Sequence, residues 1–234
     1  MMKVGVFGGA FNPIHLGHLS AASEVAEKAG LERVYFVVSA RPPHKGDHRM
    51  ADAGSRYRMV ELATEDNPLF RASRVEIDRP GASYTVDTMR HFREKYGDDV
   101  YFILGQDAME DVGSWRSAST LLKTTNFIVV TRPGYDPSAL IEILNGVLGA
   151  IYKNIRITQV DVDGDGVTRT MRVEGTVSTI SLTEITPLGI SSSLIREKLA
   201  RGETIKYLVP DAVERYLKVE GLYRSLPGKG AISA

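Results

Sequence analysis

Along the first half of the chain, short apolar runs rich in β-branched residues alternate with longer amphipathic stretches, and this alternation limits the fold more than any other feature. Residues 4–7, 34–38, 100–104 and 126–130 read as buried strands, and residues 16–29, 55–66, 85–96 and 114–122 read as helices. Strands separated by helices pair in parallel through right-handed crossovers. The expected fold class is therefore α/β, a Rossmann-like doubly wound parallel sheet with helices on both faces. Ligands in such sheets bind at the carboxyl ends of the strands, where the strand order reverses. With the first strand ending at Phe7, the residues just after it are the first place to look for a site.

The second half departs from this rhythm. Residues 136–149 read as a further helix. Ile155, Ile157, Val160 and Val162 precede Asp163-Gly164-Asp165-Gly166, and Val167, Met171, Val173 and Val177 follow. Near-alternation on both sides of a Gly/Asp turn predicts a β-hairpin insertion over 155–177. Helices at 191–201 and 211–219 form a small C-terminal helical part within 191–223, and 224–234 reads as a flexible tail. Residues 1–223 are expected to form a single domain. The segment 39–54 is long, polar and basic, as functional loops often are.

Composition excludes several classes of function. Lys+Arg and Asp+Glu both number 29, so the chain shows no basic balance pointing to a nucleic-acid partner. There is no cysteine, which removes disulfides, thiolate nucleophiles and thiolate-bound zinc. No apolar run is long enough for a signal-peptide core or a membrane span, so a soluble cytoplasmic protein is expected. A homo-oligomer is compatible with everything above.

Two constellations carry chemistry. The first is Gly8-Gly9-Ala10-Phe11-Asn12-Pro13-Ile14-His15-Leu16-Gly17-His18. Glycines after a strand let the backbone approach a ligand closely. His15 and His18, three apart at a helix start, share one face beside unpaired N–H groups and a partial positive charge. This is a phosphate site with two imidazoles aimed into it; the plain alternative is a tight turn with two incidental histidines. Two histidines without a third ligand make a poor zinc site, and the Gly-Lys-Ser/Thr ending of a Walker loop is missing. The second constellation is Ile190-Ser191-Ser192-Ser193-Leu194-Ile195-Arg196, an N-cap and helix start whose hydroxyls and guanidinium suit phosphate oxygens. Alone it is an ordinary helix cap. With the first constellation it makes two helix N-termini able to clamp a polyphosphate.

These two motifs, His-x-Gly-His after the first strand and Ile-Ser-Ser-x-x-Ile-Arg near the end, resemble those of a nucleotidyltransferase superfamily. Pro43-His44-Lys45, Ser83-Tyr84-Thr85, Gly105-x-Asp107, Trp115, Arg132-Pro133-Gly134, Tyr207-Leu208-Val209-Pro210 and Gly221-Leu222-Tyr223 extend the resemblance to bacterial nicotinate-nucleotide adenylyltransferases over residues 3–154 and 181–223.

The resemblance implies transfer of AMP from ATP to nicotinate mononucleotide, with Mg²⁺ as cofactor held mainly by ATP phosphates. It makes His15, His18 and Arg196 catalytic. Gly8, Gly9, Phe11, His15, His18, Gly105, Asp107, Ser191, Ser192 and Arg196 would bind ATP. Asn12, His44, Lys45, Thr85 and Trp115 would bind the mononucleotide, with Thr85 near the nicotinate carboxylate and Trp115 stacked on the pyridine ring. Ala10 and Asn12 depart from the Ser/Thr and Asp common at those positions. Nicotinamide mononucleotide is the alternative acceptor. A pantetheine-phosphate adenylyltransferase or a non-catalytic nucleotide-binding regulator is more distant. Asp161-x-Asp163-x-Asp165-Gly166 begins like a calcium loop, but Arg172 stands where its last carboxylate should be.

Overall fold

The computed structural model describes residues 2–41, 50–151, 157–162 and 168–224. Among these residues eight strands form one sheet: β1 (Val4–Gly9), β2 (Arg33–Val38), β3 (Phe70–Ser73), β4 (Val100–Gly105), β5 (Asn126–Thr131), β6 (Ile157–Val162), β7 (Thr168–Val173) and β8 (Thr179–Glu184). The helices are α1 (Leu16–Ala29), α2 (Ala53–Thr64), α3 (Thr85–Tyr96), α4 (Gln106–Glu110), α5 (Ala118–Thr124), α6 (Pro137–Ile151), α7 (Ser192–Ala200) and α8 (Asp211–Val219). The strand order is β3-β2-β1-β4-β5-β8-β7-β6. Every pairing from β3 to β8 is parallel. The order reverses between β1 and β4, so the ligand crevice of an open α/β sheet falls at their carboxyl ends.

Strand alternation divides the core. Phe102, Leu104, Phe127 and Val129 face one side, where Met89, Phe92, Leu121, Leu122, Leu140 and Leu144 of α3, α5 and α6 cover them. Ile103 and Ile128, one residue out of phase, face the other side with Val25, Met59, Ile195, Leu199, Val213 and Leu217 of α1, α2, α7 and α8. Each of these buried side chains contributes about 1.5–3 kcal/mol of transfer free energy.

The structure corrects several sequence expectations. The first strand does not end at Phe7; Gly8 and Gly9 continue it and keep parallel partners in β2. Residues 114–122 are not one helix. A 3-10 turn at Val112–Ser114 is followed by extended Trp115 and by Ser117 at φ 55, and α5 starts only at Ala118. The predicted hairpin ends at Val173, and its second strand pairs antiparallel with β8, so β6 and β7 extend the main sheet as its edge. The sheet is therefore mixed at that end. Three elements carry little signal in the sequence. β3 has one buried apolar residue, β8 alternates only Ile180 and Leu182 with hydroxyl residues, and α4 is five residues long. Residues 155–156 and 163–167 of the predicted hairpin, His44, Lys45 and the tail from residue 225 lie outside the described residues.

Candidate functional site

The end of β1 is built for close approach. A Cβ on Gly8 would lie 2.9 Å from the Phe102 ring, and one on Gly9 would lie 3.0 Å from the Phe11 ring. Phe11 takes a φ of 47, uncommon for a residue with a side chain, and turns the chain toward α1. Its ring meets His18 edge-on at 5.1 Å.

His15 is the extended N-cap of α1, and His18 stands at the third helical position. The two rings stack 3.7 Å apart. The His15 backbone N–H donates to His18 Nδ1 at 3.3 Å. Nδ1 is thereby an acceptor, so the ring proton of neutral His18 belongs on Nε2. Gly17 makes room for this pair, because a Cβ there would sit 3.0 Å from His15 Nδ1. His15 is buried, and burial lowers its pKa to about 4. It is a neutral imidazole at neutral pH.

The second constellation docks on the first. Ser191 caps α7 by accepting from the Leu194 N–H at 3.1 Å. Ser192 Oγ donates to the Pro13 carbonyl at 2.9 Å. Arg196 donates from Nη1 to the Asn12 carbonyl at 2.8 Å and from Nη2 to Ser193 Oγ at 3.3 Å. Gly9, Ala10, Phe11, Asn12 and His18 thus share a cavity of about 570 Å³ with Ser191, Ser192, Ser193 and Arg196. Its polar groups are mainly hydroxyls, an imidazole and a guanidinium, a set suited to anions. The Asn12 side-chain oxygen accepts from the Ala51 N–H at 3.0 Å and from the Tyr223 hydroxyl. Asn12 therefore holds the loop to the C-terminal segment, a task its position next to Phe11 did not advertise.

Arg56 was not legible as part of this site. It is 1% exposed, and its hydrogen bonds among the described residues all go to backbone carbonyls. Its Nε donates to the Ala51 carbonyl at 2.9 Å, and Nη1 donates to those of Ala10 at 2.8 Å and Ser39 at 2.7 Å. Nη2 reaches the Ala40 carbonyl at 3.4 Å. A buried cation thus ties the residue after β1 to the segment after β2 and the entry to α2. Burial lowers its pKa from the usual value.

A second cavity, of about 520 Å³, opens at the ends of β1 and β4. Phe102, Leu104, Gly105 and the residues from Phe7 to Ala10 form its sheet side. Tyr84 and Thr85 at the start of α3, Trp115 and Arg116 close it. Trp115 meets Phe102 edge-on at 6.1 Å. Tyr84, the N-cap of α3, makes no side-chain cap, so the first amides of the helix keep the orphan character of helix starts. Glu76 also lines the cavity; its Oε1 accepts from the Thr88 hydroxyl at 2.6 Å, and buried Oε2 has no hydrogen-bond partner among the described residues.

The two cavities share Gly9 and Ala10. The structure thus brings Gly8, Gly9, Phe11, Asn12, His18, Ser191, Ser192, Arg196, Thr85, Trp115 and Gly105 to two adjoining cavities, with the buried His15 ring stacked on His18. Asp107 stands exposed in the first turn of α4, next to Gly105 but outside the lining of either cavity. Among the described residues no group of three His, Cys, Asp or Glu could hold a metal ion. No helix of the described residues is long and apolar enough to cross a membrane.

A cytidylyltransferase-like family model matches residues 6–198. A protein of Moorella thermoacetica is 42% identical over 224 residues, spanning 95% of this chain and 92% of its own length. One of Thermus thermophilus is 40% identical over 224 residues, spanning 95% of this chain and all of its own length. Both bear the name "Probable nicotinate-nucleotide adenylyltransferase". Among solved structures, Plasmodium falciparum nicotinic acid mononucleotide adenylyltransferase complexed with NaAD aligns with a TM-score of 0.69 at 16% identity, covering 95% of this chain and 98% of that one. That likeness is one of fold.

Proposed function

The chain belongs to the cytidylyltransferase-like family, and we propose that it is a nicotinate-nucleotide adenylyltransferase, joining the AMP part of ATP to nicotinate mononucleotide. One observation carries the reading. Two cavities of different chemistry, one lined by phosphate-seeking donors and one by aromatic rings beside a helix start, meet at Gly9 and Ala10. A reaction joining a polyphosphate to a pyridine nucleotide needs that meeting point.

The chemistry requires no covalent nucleophile on the protein. A phosphate oxygen of the mononucleotide attacks the α-phosphorus of ATP. The new phosphorus–oxygen bond forms as the bond to the bridging oxygen breaks, and its electron pair leaves with pyrophosphate. The protein holds two anions in line and stabilises the charge on the transferring and departing phosphoryl oxygens. His18 Nε2–H is placed to donate to an α-phosphate oxygen. Neutral His15 packs against His18 and holds its tautomer through the backbone N–H. Arg196 and the serines at the start of α7 take the β- and γ-phosphates, and Gly8, Gly9 and Phe11 shape the floor. Gly105 and Asp107 are assigned to the ATP ribose, whose hydroxyls an exposed carboxylate can bind.

On the acceptor side, the amides at Thr85 take the nicotinate carboxylate and Trp115 stacks on the ring. His44 and Lys45 are assigned to the acceptor phosphate. Asn12, given its hydrogen bonds, acts by holding the loop. The donor-rich phosphate cavity fits Mg²⁺ carried on ATP, where it would neutralise phosphate charge, rather than Mg²⁺ caged by protein ligands.

The test is pyrophosphate release with Mg²⁺-ATP, run in parallel with nicotinate mononucleotide and nicotinamide mononucleotide. The reading expects turnover with the first to exceed the second in kcat/KM. Preference for the amide would keep the reaction and replace the substrate. Release with neither would overturn the assignment.

A further inference from the structure

The acceptor cavity contains a cation that the sequence did not single out. Arg116 follows Trp115 and lines the same cavity. Its guanidinium lies over the Tyr84 ring, 4.7 Å from the centroid. Tyr84 is the N-cap of the twelve-residue helix α3, and no side chain caps that helix start. A guanidinium and the start of α3 therefore border the same cavity. Among the described residues Arg116 makes no ion pair and no hydrogen bond, and it is exposed. Its contrast with Arg56 is direct, because that guanidinium is committed to backbone carbonyls.

Resting on the adenylyltransferase reading, we propose that Arg116 is the specificity-determining residue that separates the acid from the amide acceptor, its guanidinium pairing with the nicotinate carboxylate. A planar guanidinium offers parallel N–H donors that match both oxygens of a carboxylate. The carboxamide of the amide acceptor carries no charge, and its NH₂ group would face a group that can only donate. The ring of Tyr84 supports the guanidinium from below, so less side-chain freedom is lost when the pair forms. Glu76, the other charged side chain lining the cavity, does not compete for this role. Its carboxylate is held by Thr88, and it suits the pyridinium charge that acid and amide acceptors share.

The experiment compares kcat/KM for nicotinate mononucleotide and nicotinamide mononucleotide, at saturating Mg²⁺-ATP, in wild type, Arg116→Ala and Arg116→Lys. Losing a charge-assisted pair lowers the acid-to-amide ratio by about 10- to 100-fold in Arg116→Ala, mostly through KM for the acid. Arg116→Lys restores part of the ratio, since it keeps the charge without the fork. A general structural defect would lower both acceptors together and leave the ratio unmoved. A ratio in Arg116→Ala within twofold of wild type, when wild type itself prefers the acid, overturns the role of Arg116 and leaves the proposed reaction standing. A wild type that uses neither acceptor overturns both.

Discussion

The guanidinium of Arg196 donates to the backbone carbonyl of Asn12 across 184 residues of chain, at 2.8 Å. The same short stretch receives Ser192 Oγ at the Pro13 carbonyl. Two helix starts, far apart in sequence, are thereby locked into one anion-binding mouth. We predict that Arg196→Ala lowers kcat by about 100- to 1,000-fold, the usual cost of removing a preorganised donor from developing phosphate charge. Arg196→Ala with turnover near wild type would mean that the β- and γ-phosphates sit elsewhere.

His18 gives the companion prediction. His18→Ala removes the ring whose Nδ1 accepts from the His15 N–H and whose proton is thereby set on Nε2. We expect a loss in kcat of about 100-fold or more, with an unchanged circular dichroism spectrum. A fall confined to KM for ATP would assign His18 to ground-state binding instead.

Arg56 is expected to act through stability. Arg56→Met leaves the carbonyls of Ala10, Ser39 and Ala51 without their donor in a site that is 1% exposed. The predicted loss is about 2–4 kcal/mol, read as a lower urea midpoint at unchanged slope. Arg58→Met, on the exposed face of the same helix, should change stability by less than about 0.5 kcal/mol. Equal effects of the two substitutions would refute this account of Arg56.

Trp115 meets Phe102 edge-on and leaves a face to the cavity. Trp115→Phe should keep most of the affinity for the mononucleotide. Trp115→Ala should raise its KM about 5- to 50-fold, as expected when a base-stacking aromatic is removed. If KM for ATP moved instead, Trp115 would belong to the adenosine side.

His15 sets a pH dependence. Its pKa falls from 6.5 to about 4 on folding because the ring is buried. Below pH 6.5 the unfolded chain therefore binds a proton that the folded chain refuses. Stability from this residue is fully present above the unfolded pKa and is lost as pH falls from 6.5 towards 4, by at most about 3 kcal/mol. Denaturation midpoints between those pH values should decline less steeply in His15→Gln. An identical slope in both proteins would remove the assignment.

What sequence alone determined is the local part of this protein. Alternating apolar runs specify β1, β2, β4 and β5 with the helices between them, because burying one face of each element requires that period. The His15–His18 pair and the Ser191 cap were legible for the same reason: their partners lie within one helical turn. Tertiary structure decided everything that depends on partners far along the chain. Short β3 and β8 exist because neighbouring strands supply their hydrogen bonds, and β7 joins the main sheet because β8 offers it an edge. Trp115 faces the acceptor cavity because the backbone leaves the helical conformation between residues 115 and 117. Arg56 gathers carbonyls from three segments, and Arg116 finds Tyr84 across the cleft. Periodicity records which face of an element is buried, but only packing decides which side chains meet there.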